Sequence, residues 1–443
     1  MRPRRDPRSV GPVVLAIVLA ACREEGEAPR TSASPGTSAS PAKHTMGAVH
    51  MALEEATERA RAKYAGLSFE EFKRSDAVYK EPFEGGKYIV NGDTPIVDEK
   101  QLREFFEKNV KVPPPPPTEL IVHSIGGVDT VWDQQTKRKL AYCVSRQGLG
   151  PRYDAVVADM AAATGAWEQV AAVDFTHDTT QDDQCTAANA AVVFDVRGVD
   201  VGGEYLARAF FPNEPRSARN VLIDQTALSL GPDEKPQLAG ILRHELGHAL
   251  GFRHEHTRPN SGRCFEDTDW SVLTEYDPYS VMHYPQCNGR GDWSLTLTDR
   301  DKSGAACLYA AAPSFTIDPM LVDLTDCQTE PPASPAGAPT TQSFDGQSVQ
   351  KDAQVEYGPF PVVPGSLFVA SMGGPGASGD PDLYVRFGAK PAIAVYDCRP
   401  YLAVATETCS LDVPAGTTQA FVMVRGYAAG QFALKVTHVP PAS

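Results

Sequence analysis

Residues 244–255 read His-Glu-Leu-Gly-His-Ala-Leu-Gly-Phe-Arg-His-Glu, and no other stretch restricts the fold as tightly. On a helix His244 and His248 are four positions apart, so their rings leave one face about 40° and 6 Å from each other, near enough to grip one ion. Glu245 leaves the flank of that face, where it can reach a water beside the ion without ligating it, as a general base must. His254 cannot join them on a continuous helix, where it would lie roughly 15 Å from His244, against coordination distances of about 2 Å. The chain must bend, and Gly251, which has no Cβ, can take a left-handed conformation at the helix end. The pattern therefore implies one catalytic Zn²⁺ held by His244, His248 and His254, with Glu245 beside it. A polar helix with idle histidines is the bland alternative, and a short His-Glu-x-x-His pattern alone does not exclude it.

Downstream runs Tyr276-Asp-Pro-Tyr-Ser280-Val-Met282-His283-Tyr284-Pro. Met282 and its aromatic neighbours could simply fill a core. Following the histidine pattern, the segment resembles the Met-turn that underlies the zinc in metzincins. Phe252, Glu255, Arg258 and Ser280–Tyr284 resemble the astacin family in particular. The resemblance covers about Val131–Tyr309 and implies an α+β catalytic domain, a twisted mixed sheet with an active-site helix, and endopeptidase activity. It also implies that Tyr284 is a further, switchable zinc ligand that steadies the oxyanion, while Glu245 takes the proton of the attacking water and returns it to the leaving amine. Two features depart from the pattern. Pro259-Asn-Ser-Gly carries no acidic cluster, and Tyr205-Leu-Ala-Arg-Ala-Phe-Phe211-Pro is more like the substrate-side edge strand of matrixins. The reading is a bacterial astacin-like metzincin on its own branch.

The N-terminus reads as an export signal. Arg2, Arg4, Arg5 and Arg8 precede an apolar run from Gly11 to Ala21, too short to span a bilayer. Leu19-Ala-Ala-Cys22 resembles a bacterial lipobox, which implies removal of residues 1–21 and lipidation of Cys22; an ordinary signal peptide with an incidental cysteine is the alternative. Arg23 is not an aspartate, which by analogy with bacterial sorting points to the outer membrane or cell surface, with release into the medium after processing left open. Of the nine cysteines, eight remain after Cys22, an even number that suits disulfides in an oxidising space. Cys398 and Cys409 share the C-terminal part and should pair. Cys264–Cys287 would staple the loop carrying the Met-turn, leaving Cys143–Cys185 and Cys307–Cys327 by elimination. A formal charge of −15 gives no basic face for a nucleic acid. Membrane contact is expected only through the lipid anchor, and the chain is expected to be a monomer.

Composition divides the remainder. Residues 22–45, rich in Ser, Pro, Ala and Thr, form a flexible tether. Residues 46–117 carry two amphipathic stretches, from Met51 to Tyr64 and from Asp98 to Glu107, around a short strand at Lys87–Asn91, and end in five prolines that make a stiff spacer. This segment is either a propeptide or an N-terminal interaction module. It has no cysteine to block a zinc. Phe83-Glu-Gly-Gly and Asn91-Gly-Asp93-Thr faintly resemble the inhibitory Phe-x-Gly-Asp of astacin propeptides, so Asp93 is the candidate blocking ligand, a plain turn aspartate being the alternative.

Residues 118–312 are the catalytic domain, with strands expected at Leu140–Val144, Val173–Thr176, Ala190–Val196, Tyr205–Phe211 and Asn220–Asp224. Helices are expected at Tyr153–Val170, from Pro236 through the histidine motif, and at Thr298–Tyr309, capped by Thr298 with Asp301. An edge strand near Ala207–Phe211 would take a protein or peptide substrate as an added strand. After a linker at 313–343, residues 344–443 show short alternating strands between Gly and Pro turns, an all-β antiparallel sandwich. Gly379-Asp380-Pro-Asp382, Tyr396-Asp-Cys398 and Glu407-Thr-Cys409 resemble the bacterial pre-peptidase C-terminal domain. That resemblance makes Asp380 and Asp382 candidate Ca²⁺ ligands, with turn capping the alternative. Two other functions stay open: a surface adhesin whose zinc fold is inert, and a zinc hydrolase of peptidoglycan peptides. The presence of Glu245 weighs against the first.

Overall fold

The computed structural model describes residues 63–90, 92–111, 119–125, 128–231, 235–257, 270–285, 289–325, 327–328 and 338–441. Cys22 and the run before it, the amphipathic stretch up to residue 62, the proline spacer, Arg258, Cys264 and Cys287 lie outside them. Among the described residues no helix is long and apolar enough to cross a membrane.

The N-terminal segment builds a small core of its own. Strands β1 (Val78–Lys80), β2 (Tyr88–Val90) and β3 (Thr94–Ile96) pair antiparallel in that order. The strand expected around Lys87–Asn91 is the central one; its partners are three residues each, too short for a period to show. Asp98 accepts a hydrogen bond from the Gln101 amide and so starts the helix Glu99–Phe105, which widens into a π turn at Phe106–Val110. Phe69, Phe72, Leu102 and Phe106 close over Val90 and Ile96, with Phe72 and Phe106 stacked at 4.8 Å. Each such ring contributes roughly 1.5–3 kcal/mol by leaving water.

In the central region β4 (Glu119–Ile125), β5 (Val128–Asp129) and β11 (Trp270–Glu275) form one small sheet, and β6 (Leu140–Val144), β7 (Phe175–His177), β8 (Phe194–Val199), β9 (Ala207–Arg208) and β10 (Asn220–Asp224) form a mixed sheet in the order β7-β6-β8-β10-β9. Only β9, at the edge, runs antiparallel to its neighbour. Three expected strands are displaced or shortened, each because a competing bond takes the backbone. The Val173 amide folds back to Ala171 O and the Asp174 amide donates to Lys137 O, both at 2.8 Å, so β7 starts at Phe175. The Val192 carbonyl accepts from Arg216 Nε at 2.7 Å, so β8 starts at Phe194. The Phe211 amide turns to Glu214 Oε1 at 3.2 Å, so β9 ends after two residues. The histidine-bearing helix is Leu238–Ala249 with Gln237 as its cap, so Pro236 precedes the helix instead of opening it. Leu238, Ile241, Leu242, Leu246 and Ala249 face the core, and Trp167 of the helix Tyr153–Glu168 lies against Phe252 at 5.4 Å. Thr298 and Asp301 form the expected capping box of the helix Asp299–Tyr309.

The C-terminal region is wholly antiparallel. β12 (Thr340–Val349), β14 (Leu367–Ser378), β16 (Glu407–Asp412) and β18 (Gly430–His438) make one sheet in the order β12-β18-β14-β16; β13 (Gln354–Pro361), β15 (Pro381–Phe387) and β17 (Gln419–Gly426) make another in the order β13-β17-β15. Phe360, Phe368, Leu383, Val422 and Leu434, drawn from both sheets, share one core. Disulfides link Cys143–Cys185, Cys307–Cys327 and Cys398–Cys409.

Candidate metal centre

The motif's three imidazoles converge. His244 Nε2 and His248 Nε2 lie 3.2 and 3.1 Å from His254 Nε2. His244 Nδ1 is 2.7 Å from Val281 O and His248 Nδ1 2.7 Å from Phe252 O. A carbonyl can only accept, so each Nδ1 carries the proton and each Nε2 turns a lone pair inward. Lone pairs facing at such distances repel unless a cation lies among them, and nitrogens bound tetrahedrally at 2.0–2.1 Å would stand about 3.3 Å apart. The donor set therefore fits Zn²⁺.

Local sequence explains the convergence. Gly251 has φ +95°, and its amide bonds to His248 O at 2.8 Å. The chain then turns back along β4: His123 N donates to Gly251 O at 2.7 Å, and Arg253 N donates to Ile121 O at 3.1 Å. A Cβ on Gly251 would meet Thr130 O at 2.6 Å. Below the helix Met282 is buried and packs so closely on Gly247 that a Cβ there would overlap its sulfur. A mid-helix glycine costs about 1 kcal/mol against alanine; here it admits the turn beneath the site. Glu255 ties His254 to that turn, its amide donating to Met282 O at 2.9 Å and its Oε1 accepting from Asp277 N at 2.7 Å. Glu245 is 2 % exposed, and its Oε2 is a buried oxygen with no hydrogen-bond partner. Burial pushes its carboxyl well above the usual range, and the charge of Asp93 adds to the push.

Asp93 is brought to the same point. Its Oδ1 is 3.0 Å from His254 Nε2 and 3.9 Å from His248 Nε2, and its Oδ2 is 3.6 Å from His244 Nε2. The four residues offer donor atoms all within 4.8 Å of one another. Burial alone would raise the Asp93 carboxyl; positive charge at the three rings is what holds it well below its usual value. Tyr284 donates its hydroxyl to Asp93 Oδ2, and its ring lies 4.6 Å from that of His254. In this arrangement its phenol is spent on the aspartate.

Two buried pairs beside the centre had no motif to announce them. Glu81 receives Arg208 Nε and Nη2 at 2.9 Å each and Tyr205 Oη at 2.6 Å. Lys87 donates to Glu214, both side chains buried. The only sequence signal was the charge of Glu81 and Lys87 on either side of the Phe83-Glu-Gly-Gly turn. At Asp380 and Asp382 the cation present is the Lys100 ammonium, 2.9 Å from Asp380 Oδ1 and in closer contact with Asp382.

Residues 131–261 match the family model described as matrixin. The chain is 54% identical over 52 residues to a neutral protease of Vibrio proteolyticus, covering 12% of this chain and 8% of the relative. It is 48% identical over 63 residues to a zinc metalloprotease of Helicobacter pylori (14% and 23%), and 36% identical over 81 residues to blastula protease 10 of Paracentrotus lividus (14% of each). The chain thus spans less than a quarter of the length of these relatives.

Proposed function

We propose that the chain is the latent form of a zinc-dependent endopeptidase, an astacin-like metzincin exported as a lipoprotein through Cys22, with residues 46–117 as its propeptide and a pre-peptidase-type sandwich at its C-terminus. The observation that carries the reading is the convergence of three imidazole Nε2 atoms beside the buried, unpartnered Oε2 of Glu245. Latency rests on Asp93, whose carboxylate faces all three rings.

His244, His248 and His254 would hold the zinc, which when bound lowers the pKa of a water from about 15.7 towards 7 and polarises a carbonyl. Asp93 suppresses the chain's own chemistry in two ways. Its charge, added to burial, works against ionisation of the Glu245 carboxyl, and it takes the Tyr284 hydroxyl. Departure of the propeptide reverses both. Glu245 ionises more readily and accepts a proton from the attacking water, then delivers it to the leaving amine. Tyr284 then donates to the substrate oxygen as negative charge develops there. An extended protein substrate lies along β9, an edge strand, so that backbone hydrogen bonds hold it. The matrixin match and the metalloprotease relatives weigh on the same side.

Glu245→Gln in the processed protein tests this: casein hydrolysis should fall about 10²–10⁴-fold with zinc content unchanged, and a chelator should abolish the wild-type rate. A variant as fast as wild type would remove Glu245 from the chemistry.

A further inference from the structure

We propose that the C-terminal region carries a preformed ammonium-binding pocket, filled by Lys100 in the latent chain and open, once the propeptide has left, to a lysine side chain of another polypeptide. The inference rests on the propeptide reading above. Lys100 belongs to the helix Glu99–Phe105, yet its ammonium is enclosed by groups some 280 or more residues away in the chain. It donates to Asp380 Oδ1 at 2.9 Å, to Asp382 Oδ1, and to Leu402 O at 3.2 Å, which uses all three of its hydrogens. The rings of Tyr401 and Tyr427 stand 4.2 and 4.3 Å from it, nearly perpendicular to each other. Aromatic faces of this kind select a cation by their quadrupole and do nothing for a hydrated divalent ion.

The groups around the ammonium all come from the C-terminal region. Asp382 is fully buried, and its Oδ2 has no hydrogen-bond partner. Asp382 is the second residue of β15, and Tyr427 follows the end of β17, neighbouring strands in one sheet. Removing Lys100 would leave buried carboxylates facing two rings, a site that favours an incoming cation over water. A second contact one helical turn on narrows the ligand. Arg399, stacked 3.9 Å from the Tyr401 ring, donates to Glu104 Oε1 and Oε2 at 2.7 and 2.9 Å. The face thus reads a helix with Lys and Glu four residues apart, the spacing that puts both on one side.

The pocket is tested first in the full-length, unprocessed chain. Lys100→Ala leaves a cavity of the shape of a short alkylammonium, so n-propylammonium chloride should raise its melting temperature by about 3 °C at tenfold excess over Kd. Wild type, and Lys100→Met, which fills the space, should not respond, nor should Lys100→Ala to NaCl of equal ionic strength. Rescue by Ca²⁺ instead of the amine, or by neither, overturns the proposal. The second arm needs no variant of the protein: processed wild type should bind a synthetic peptide of residues 98–111 at least about tenfold more tightly than peptides carrying norleucine at 100 or glutamine at 104, as loss of a charge-assisted bond implies. Equal binding of the three peptides also overturns it. Neither arm reads proteolysis, so failure here leaves the Glu245→Gln result standing. An inert Glu245→Gln comparison would sink the protease reading without touching the amine rescue.

Discussion

Lys100 lies seven positions after Asp93, and the two side chains end in opposite worlds. Asp93 delivers an anion to three imidazoles of the central region; Lys100 delivers a cation to two carboxylates of the C-terminal region. The imidazole centre is assembled by one helix and the bend after it, within an eleven-residue span, whereas the carboxylate pocket draws on residues from Asp380 to Tyr427 across strands and loops. The first would hold its shape for a metal whatever the N-terminal segment does. The second is complete only when something cationic enters it. One short stretch thus bridges the imidazole centre and the carboxylate pocket, so on the propeptide reading the event that opens one opens the other.

Breaking the first contact should have the larger effect. Asp93→Ala in the uncleaved chain removes the charge facing the rings, and activity on a peptide substrate should rise about 10²–10⁴-fold, the equilibrium equivalent of the roughly 3–5 kcal/mol lost when a buried pair loses one partner. An uncleaved variant as silent as wild type would mean that bulk of the segment, and not Asp93, closes the site. Lys100→Ala should act at the lower end of that range, since Tyr427 at the pocket's rim is 40 % exposed. It leaves Asp93 in place, so the expected change is earlier release of the segment under urea, with basal activity rising less than in Asp93→Ala. If Lys100→Ala released more activity, the C-terminal contact would be the dominant lock and the comparison would invert.

The contrast also explains what could be read from the residues. Spacing on a helix is a local rule, so His244, Glu245, His248 and the bend at Gly251 were legible, as was the Thr298 capping box. Asp93 was legible only through a faint resemblance, because a turn aspartate has many uses. Lys100, Glu81 and Lys87 were not, since a charge on an amphipathic stretch says nothing about a partner hundreds of residues away. Asp380 and Asp382 show the same limit from the other side: paired carboxylates suggest a cation, and only the fold says that it is an ammonium. Strand limits failed for a related reason. At Val192 and Phe211 a side chain from another element, Arg216 or Glu214, captures a backbone group that periodicity assigned to the ladder.

Acid offers a milder probe of both contacts together. Burial opposes ionisation of Glu81 and Glu104, but Arg208 with Tyr205 and the Lys87 amide, and Arg399 with Lys108, together outweigh it and hold both carboxyls below their usual values, as positive charge at the rings holds Asp93. A carboxyl depressed in the docked state contributes stability above its free pKa of about 4, and that contribution is lost as pH falls through the docked value. Docking of residues 78–106 should therefore be firm at pH 7 and loosen below about pH 4, seen as faster hydrogen exchange in that segment after correction for intrinsic rates. Tightening on acidification would mean that the carboxyls are held neutral.

The smallest expected effect separates the two halves of the recognition face. Glu104→Gln keeps the size of the side chain and removes the charge that Arg399 meets, while Lys100 stays seated. Glu104 is about a fifth exposed and Arg399 nearly buried, so the pair is screened more than the Lys100 pocket, and the loss should be about 1–2 kcal/mol in the docking of the segment. Urea-induced release, followed by trypsin cleavage between residues 98 and 111, reads it directly. In Lys100→Ala the same substitution should cost less than it does alone, because each contact holds the helix in register for the other. Strict additivity would show that the ammonium and guanidinium contacts act independently and that the pocket does not read a helix as a unit.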